Sequence, residues 1–421
     1  MSRFLGMSAI ALAAIVGCAA ENTEDSASGE DDVIRGPDLA QMNDVSVLYP
    51  LAKSQAELDT GYLSTSSSGA RGVLLPDTLY TKATGQPKDP PSGHLPIGQD
   101  VGLPWSTLKV VAFRVDPCFA NIGPITDPAS CKNQLRLIFQ YVRAGDGGSS
   151  AVDGAVHAFY SLTRDELTAL VKSIIELRRH ENGDKQLGAV AVHPVMAKQG
   201  LLGNEAKGLN ALVLQYAGKS NLTRFTTFRP GNLATRWDFS GFDVTGATTK
   251  AMVIPTLPDH GTGDSFFGGF AQDLAGGFNP PSTAAPKDNM QLLGNLEKAK
   301  AASKADQQAA FDAALRILNP NMHSPDTIDC ASCHIAGPAI VLTGDKLGLS
   351  TTGNANLYAR DTKWIGASDM KQTTPINQDT NRNFHAFSYR DDHPMVAVRV
   401  INETASIVAY LNSTVLRPPP H

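Results

Sequence analysis

The sequence predicts an α+β protein: a sheet-dominated domain with two helices over 105–285, followed by a mainly α segment over 290–421. Three observations carry this reading. About six β-rich runs bounded by turn residues lie between Leu108 and Leu257. Two helix-periodic stretches, beginning near Arg164 and Asn204, interrupt them. Past a Pro-, Gly- and Ser-rich stretch at 276–288, where the domain boundary is placed, the remaining periodicity is helical.

Taken in order, residues 1–18 read as a signal segment. Met1 to Gly17 carries Arg3 and an apolar run from Ile10 to Val16, too short to span a bilayer permanently. The segment ends Ile15-Val16-Gly17-Cys18, which resembles the bacterial lipobox with Ile in place of the commoner Leu. That resemblance implies lipidation of Cys18 and a membrane contact through the lipid anchor. The alternative is an ordinary cleavable signal with an incidental cysteine. Residue 19 is Ala rather than Asp, so the expected place is the outer membrane, facing the periplasm or the cell surface. Residues 19–36 hold Glu21, Glu24, Asp25, Glu30, Asp31 and Asp32 against Arg35, and such a segment reads as a disordered acidic tether.

Residues 37–104 are rich in Pro, Gly and Ser, and an irregular segment is expected there. Strands follow at Leu108–Val115, Leu135–Val142 and Val156–Leu162. Thr163 and Glu166 form a capping box for a helix whose stripe is Leu167, Leu170, Val171, Ile174 and Ile175. It closes on Arg178, Arg179 and His180, with Gly183 beyond. A strand is expected at Leu187–His193 and a second helix at Asn204–Tyr216. Three further strands are expected at Leu222–Phe228, Arg236–Val244 and Lys250–Leu257.

Cys118 and Cys131 bracket a loop containing Gly123, Pro124 and Pro128, and in an oxidising compartment they are expected to form a disulfide. Closing so short a loop is worth roughly 3 kcal/mol. The large domain shows no nucleotide, hydrolase or zinc-protease motif. His157, His193 and His260 lack metal-ligand spacing and read as core or edge histidines. Asp259 to Asp264, followed by Gly268 and Gly269, does not match a calcium loop and reads as a Gly-rich connection. A net charge of -5 and a pI near 6.1, with no basic patch, leave nucleic acid outside the expected partners.

The C-terminal third holds the one specific motif, Cys330-Ala331-Ser332-Cys333-His334. Two cysteines one helical turn apart can reach the two vinyl groups on one porphyrin edge, and the adjacent histidine can ligate the iron. The motif therefore reads as a covalent c-type haem site, one haem c per chain, with His334 as proximal ligand. A thioredoxin-type dithiol wants a preceding strand and needs no histidine. A zinc site wants a second ligand pair, which the chain lacks. A helix is expected at Ser303–Leu318, ended by Asn319-Pro320, and another is capped by Asn402 and runs to about Val415.

A helix leading into Cys330-Ala331-Ser332-Cys333-His334, then Pro338 and a terminal amphipathic helix, resembles a single-haem class I type cytochrome c over about 290–421. The resemblance implies a mainly α cytochrome-c-like domain whose end helices cross beside the haem, with Phe311 and Tyr410 near the crossing. The connection from Asn321 to Asp329 is longer than that pattern, and no methionine sits in an unmistakable ligand motif. More loosely, the whole chain resembles single-haem lipoproteins of myxobacteria, which supplies no mechanism. The sixth iron ligand stays open between His385, flanked by Phe384 and Phe387, and Met395, ahead of the last helix; Met370, His393 and His323 are lesser candidates.

The expected function is therefore that of an envelope-anchored c-type cytochrome carrying single electrons to and from an unspecified redox partner protein. Two alternatives stand beside it. One is a haem-dependent oxidoreductase, peroxidase-like or fed by a substrate bound to the N-terminal domain. The other is a surface binding protein with a structural haem. Whether the chain is an enzyme stays open.

Overall fold

Alternating apolar runs separated by turns build one large antiparallel sheet, with helices on both of its faces. A computed structural model describes residues 39–90, 102–117, 132–145, 148–152, 154–230, 236–252, 263–267, 288–294, 296–323, 330–358 and 386–417. Cys18, Cys118, Cys131, His260 and His385 lie outside the described residues, as does the boundary expected at 276–288 except for Asp288.

The chain enters through α1 (Met42–Val45), β1 (Ser46–Leu48), α2 (Gln55–Thr60), a hairpin of β2 (Ser68–Gly69) and β3 (Gly72–Val73), and α3 (Asp77–Thr84). The central elements follow: β4 (Leu108–Asp116), β5 (Asn133–Gly145), β6 (Gly148–Ala151), β7 (Ala155–Leu162), α4 (Arg164–Asn182), α5 (Pro194–Gln199) and α6 (Asn204–Tyr216). Next come β8 (Leu222–Pro230), β9 (Arg236–Thr245), β10 (Thr248–Ala251) and β11 (Gly263–Phe267). The C-terminal elements are α7 (Leu296–Ala301), α8 (Lys304–Ile317), α9 (Cys330–Leu347), β12 (Phe387–Arg390), β13 (His393–Val396) and α10 (Val398–Tyr410), closed by a π turn at Leu411–Val415. The sheet order is β1-β4-β5-β7-β8-β9-β10, with β6 added to β5 and β11 to β9.

Register decides what each face carries. Phe113 pairs with Leu137, Leu137 with Ala158, and Ala158 with Phe225, so these residues share one face. They belong to the same buried cluster as Leu167, Leu170 and Val171 of α4 and Leu209 and Val213 of α6. On the opposite face Arg114 pairs with Arg136, Ile138 with His157, His157 with Thr226, and Phe228 with Phe239. Phe228 and Phe239 join Phe311, Ala314 and Leu315 of α8 and Ala336, Ala339 and Ile340 of α9 in a second cluster.

Several expected elements stand as read. The capping box of Thr163 and Glu166 starts α4, Gly183 ends it, and Ser303 caps α8. Others differ for physical reasons. The strand expected at Leu187–His193 is irregular, because side chains replace the ladder: Gln41 Oε1 accepts from Leu187 N at 2.7 Å and Asn43 Nδ2 donates to the Ala189 carbonyl at 2.8 Å. Pro194 then opens α5, so the span 105–285 holds three described helices rather than two. The segment 37–104, expected to be irregular, supplies β1 to the sheet. The last helix begins at Val398, not Asn402. Asn402 lies inside it, buried, and its amide donates to the Leu318 carbonyl at 2.7 Å.

The C-terminal elements pack into the sheet's core. Ser46 and Thr404 hydroxyls meet at 2.7 Å, Ala40 N donates to Asn412 Oδ1 at 2.8 Å, and Gln140 Nε2 donates to the Tyr389 carbonyl at 2.9 Å. The described residues all belong to one compact unit. Phe311 and Tyr410 do not meet at one helix crossing: Phe311 is buried in the second cluster, while Tyr410 packs against the first.

Candidate haem site

Cys330, Cys333 and His334 stand on the first turn and a half of α9, which is helical from Cys330 onward. Helical geometry therefore sets the two cysteine positions one turn apart on neighbouring sites of the helix surface. What fixes α9 is its seat on α8. A Cβ at Gly344 would come 3.0 Å from Phe311 Cε2, so glycine permits this close approach.

His334 is 8% exposed and faces the sheet. Its ring lies 4.9 Å from that of Phe228, tilted by 31°, and 5.2 Å edge-on from that of Phe239. Cys333 is a free thiol, partly buried. Burial and the Glu403 carboxylate push its pKa up to about 11, against the pull of Arg399, Arg136 and Arg114. The thiol thus sits within the field of a charged cluster.

That cluster links the sheet to α10. Arg114 Nε donates to Asp116 Oδ1 at 2.6 Å, and Arg136 Nη2 lies 2.9 Å from Asp116 Oδ2. Arg114 Nη1 also donates to Glu403, whose Oε1 takes Arg399 Nη2 at 2.6 Å. Burial would raise the Glu403 pKa, but Arg114, Arg399 and Arg136 together hold it down at about 2. Arg136 stacks over Phe159, its guanidinium carbon 4.6 Å from the ring centre. His157 lies on the same face; burial first, then Arg136, His334 and Arg114, hold its pKa well below the usual histidine value. It is therefore neutral.

Met395 is 9% exposed on β13, opposite Ser388. His323 is bound elsewhere: its Nε2 lies 2.9 Å from Asp288 Oδ2, beside Arg316, whose Nη2 is 2.6 Å from Asp288 Oδ1. His193, read as a core histidine, is buried at the start of α5. His157, expected to be a core or edge histidine, lies in β7 between β5 and β8, on the α9 side of the sheet.

Sequence reasoning missed Arg114, Arg136, Phe228, Phe239, Arg399 and Glu403. The signal was present in part. Arg114 and Arg136 interrupt apolar strands, where a charge needs a partner, and Arg399 and Glu403 have the i, i+4 spacing of an ion pair.

The donor set fits a covalent haem. The helix turn places both cysteine positions and the histidine together, phenylalanine rings wall one side, and Arg114 Nη2 and Arg136 Nε are buried without hydrogen-bond partners. Among the described residues no group of three or more His, Cys, Asp or Glu could hold a bare metal ion. None of the described helices is long and apolar enough to cross a membrane. Compared with known proteins, the chain matches no family model, no curated protein and no solved structure.

Proposed function

We propose that this chain is an envelope-anchored c-type cytochrome: one haem c is bound covalently by Cys330 and Cys333, and His334 ligates its iron. The observation that carries the reading is the placement of all three residues at the start of one helix, against an aromatic and cationic sheet face. When bound, the haem supplies an iron that gains and loses single electrons.

The chain's own residues hold and tune it. His334 is fixed between Phe228 and Phe239, which keep water from that side of the imidazole. The guanidiniums of Arg114, Arg136 and Arg399 add positive charge near the site and favour the reduced state. His385 or Met395 is the proposed sixth ligand. Cys18 carries the lipid anchor, Cys118 and Cys131 are paired, and the tether at 19–36 holds the folded part off the outer membrane.

A dithiol oxidoreductase is the weaker reading. A dithiol pair needs no histidine beside its second cysteine, whereas here His334 follows Cys333 directly on the same helix. The test is a pyridine haemochrome assay on denatured protein with spectra of both oxidation states. Covalent haem with a six-coordinate low-spin spectrum is the expected result. A high-spin spectrum that responds to peroxide would replace the carrier reading with the peroxidase-like one. Protein purified without covalent haem would end both.

A further inference from the structure

The charged cluster beside Cys333 does not balance. Three guanidiniums, of Arg114, Arg136 and Arg399, face two carboxylates, of Asp116 and Glu403, among the described residues. Arg399 is fully engaged: Nε bonds Glu403, Nη1 donates to the Ile317 carbonyl at 2.7 Å, and Nη2 reaches the His323 carbonyl. The surplus falls on the other two. Arg114 Nη2 and Arg136 Nε are both buried and lack a hydrogen-bond partner. A buried cation left uncompensated is costly, and so is a buried N–H left unpaired.

We infer that Arg114 and Arg136 form a binding site for one carboxylate group on the sheet face beneath α9. The chemistry selects the class. One unit of surplus positive charge matches a singly charged anion, and two guanidinium N–H groups match the two oxygens of a carboxylate. A phosphate dianion would overshoot the charge. The two N–H groups are themselves buried, while the Arg136 side chain keeps 13% of its exposure and that of Asp116 keeps 11%, so the site lies just beneath the surface. Cys333 lies in the field of the same arginines.

The carboxylate has two sources. One is a haem propionate, an assignment that rests on the haem reading above. The other is a free carboxylate, as a substrate-binding oxidoreductase would require. The site itself rests on neither.

The experiment titrates full-length protein with sodium propionate, and with chloride at equal ionic strength, by calorimetry. Haem-free chain comes from the Cys330→Ala, Cys333→Ala double variant, or from the wild type if it carries no haem. Haem-free chain is expected to bind propionate, not chloride, and Arg136→Gln to weaken this about tenfold or more. If haem propionate fills the site, the holoprotein will not bind added propionate, and Arg136→Gln will lower its midpoint potential. If a free carboxylate is the ligand, holoprotein and haem-free chain will bind propionate alike. Should Arg136→Gln fail to fold, Arg136→Lys, which keeps the charge and loses the Nε donor, tests the loss of propionate binding in its place, and Arg136→Met, which loses both, tests the potential. Binding of chloride as tightly as propionate would overturn the inference. So would haem-free chain that binds no propionate together with a holoprotein potential unmoved by Arg136→Gln. Absence of covalent haem from the wild type would instead sink the haem reading, leaving the titration to decide this one.

Discussion

Arg114 of β4 and Glu403 of α10, 289 positions apart in sequence, form a buried ion pair that joins the sheet to the last helix. Arg114 is 3% exposed, and Asp116 and Arg399 complete the pair's hydrogen bonding. The pair makes the C-terminal segment part of the same packed core as the strands.

Breaking the pair will leave a buried guanidinium short of charge. Glu403→Gln is expected to destabilise the protein by about 3 kcal/mol at neutral pH. The pH window follows from the sign of the shift. The Glu403 pKa is lowered from 4.5 to about 2 in the folded state, so its contribution is complete above about 4.5 and disappears as pH falls through 2. Urea unfolding of both proteins from pH 7 to 2 checks this: the two stabilities must converge at the acid end. A constant gap would show that the lost stability is packing, not charge.

Glu205 behaves in the opposite sense. It is 1% exposed, both carboxylate oxygens lack hydrogen bonds, and burial raises its pKa from 4.5 to about 7, helped by Asp44 and Glu181 and opposed by Arg178. A raised carboxylate contributes stability that is full below 4.5 and lost as pH rises through 7. Glu205→Gln removes that loss and is expected to stabilise the protein at pH 8 by on the order of 1 to 3 kcal/mol. The neighbouring His193 titrates against this trend, its pKa lowered to about 3 by burial and then Arg178. The variant must therefore be compared with the wild type at each pH. Equal stability at pH 8 would refute the prediction.

How much of this was legible depends on the range of the interaction. Local signals read well: Thr163 with Glu166, Gly183 and Ser303 mark helix ends through contacts within one turn. The strands around Phe113 and Leu137 were visible from their apolar runs. Long-range satisfaction was not. Leu187–His193 has strand-like composition, but Gln41 and Asn43, far away in sequence, take its backbone groups. The motif at Cys330–His334 was plain, while its surroundings come from β4, β5, β8, β9 and α10, whose convergence is a matter of topology.

Gly344 tests the seat of α9. In an exposed helix, Gly→Ala gains about 1 kcal/mol from propensity alone. Here the new methyl would stand 3.0 Å from Phe311 Cε2 and 3.4 Å from the Leu349 carbonyl oxygen. Phe311 is 1% exposed and cannot move aside cheaply. Gly344→Ala is therefore expected to destabilise by about 1 kcal/mol, measured by thermal or urea unfolding, with Phe311→Leu relieving part of the cost. Stabilisation by the alanine would show that α8 and α9 separate freely.

The choice of sixth ligand can be narrowed by a single substitution. Met395 sits in the β12–β13 hairpin, which packs on β4, β5 and β6, whereas α9 rests on α7, α8, α10 and β11. The Tyr389 hydroxyl donates to the Tyr49 carbonyl at 2.6 Å and Tyr389 N donates to Gln140 Oε1 at 2.7 Å, which anchors that hairpin to the sheet. A methionine at 9% exposure in such a hairpin is accounted for by packing. Met395→Leu is expected to leave the oxidised and reduced spectra unchanged and to cost less than about 1.5 kcal/mol, as volume-conserving core changes do. Loss of the low-spin spectrum, or of the weak red charge-transfer band of Met-ligated ferric haem, would instead assign the ligand to Met395 over His385.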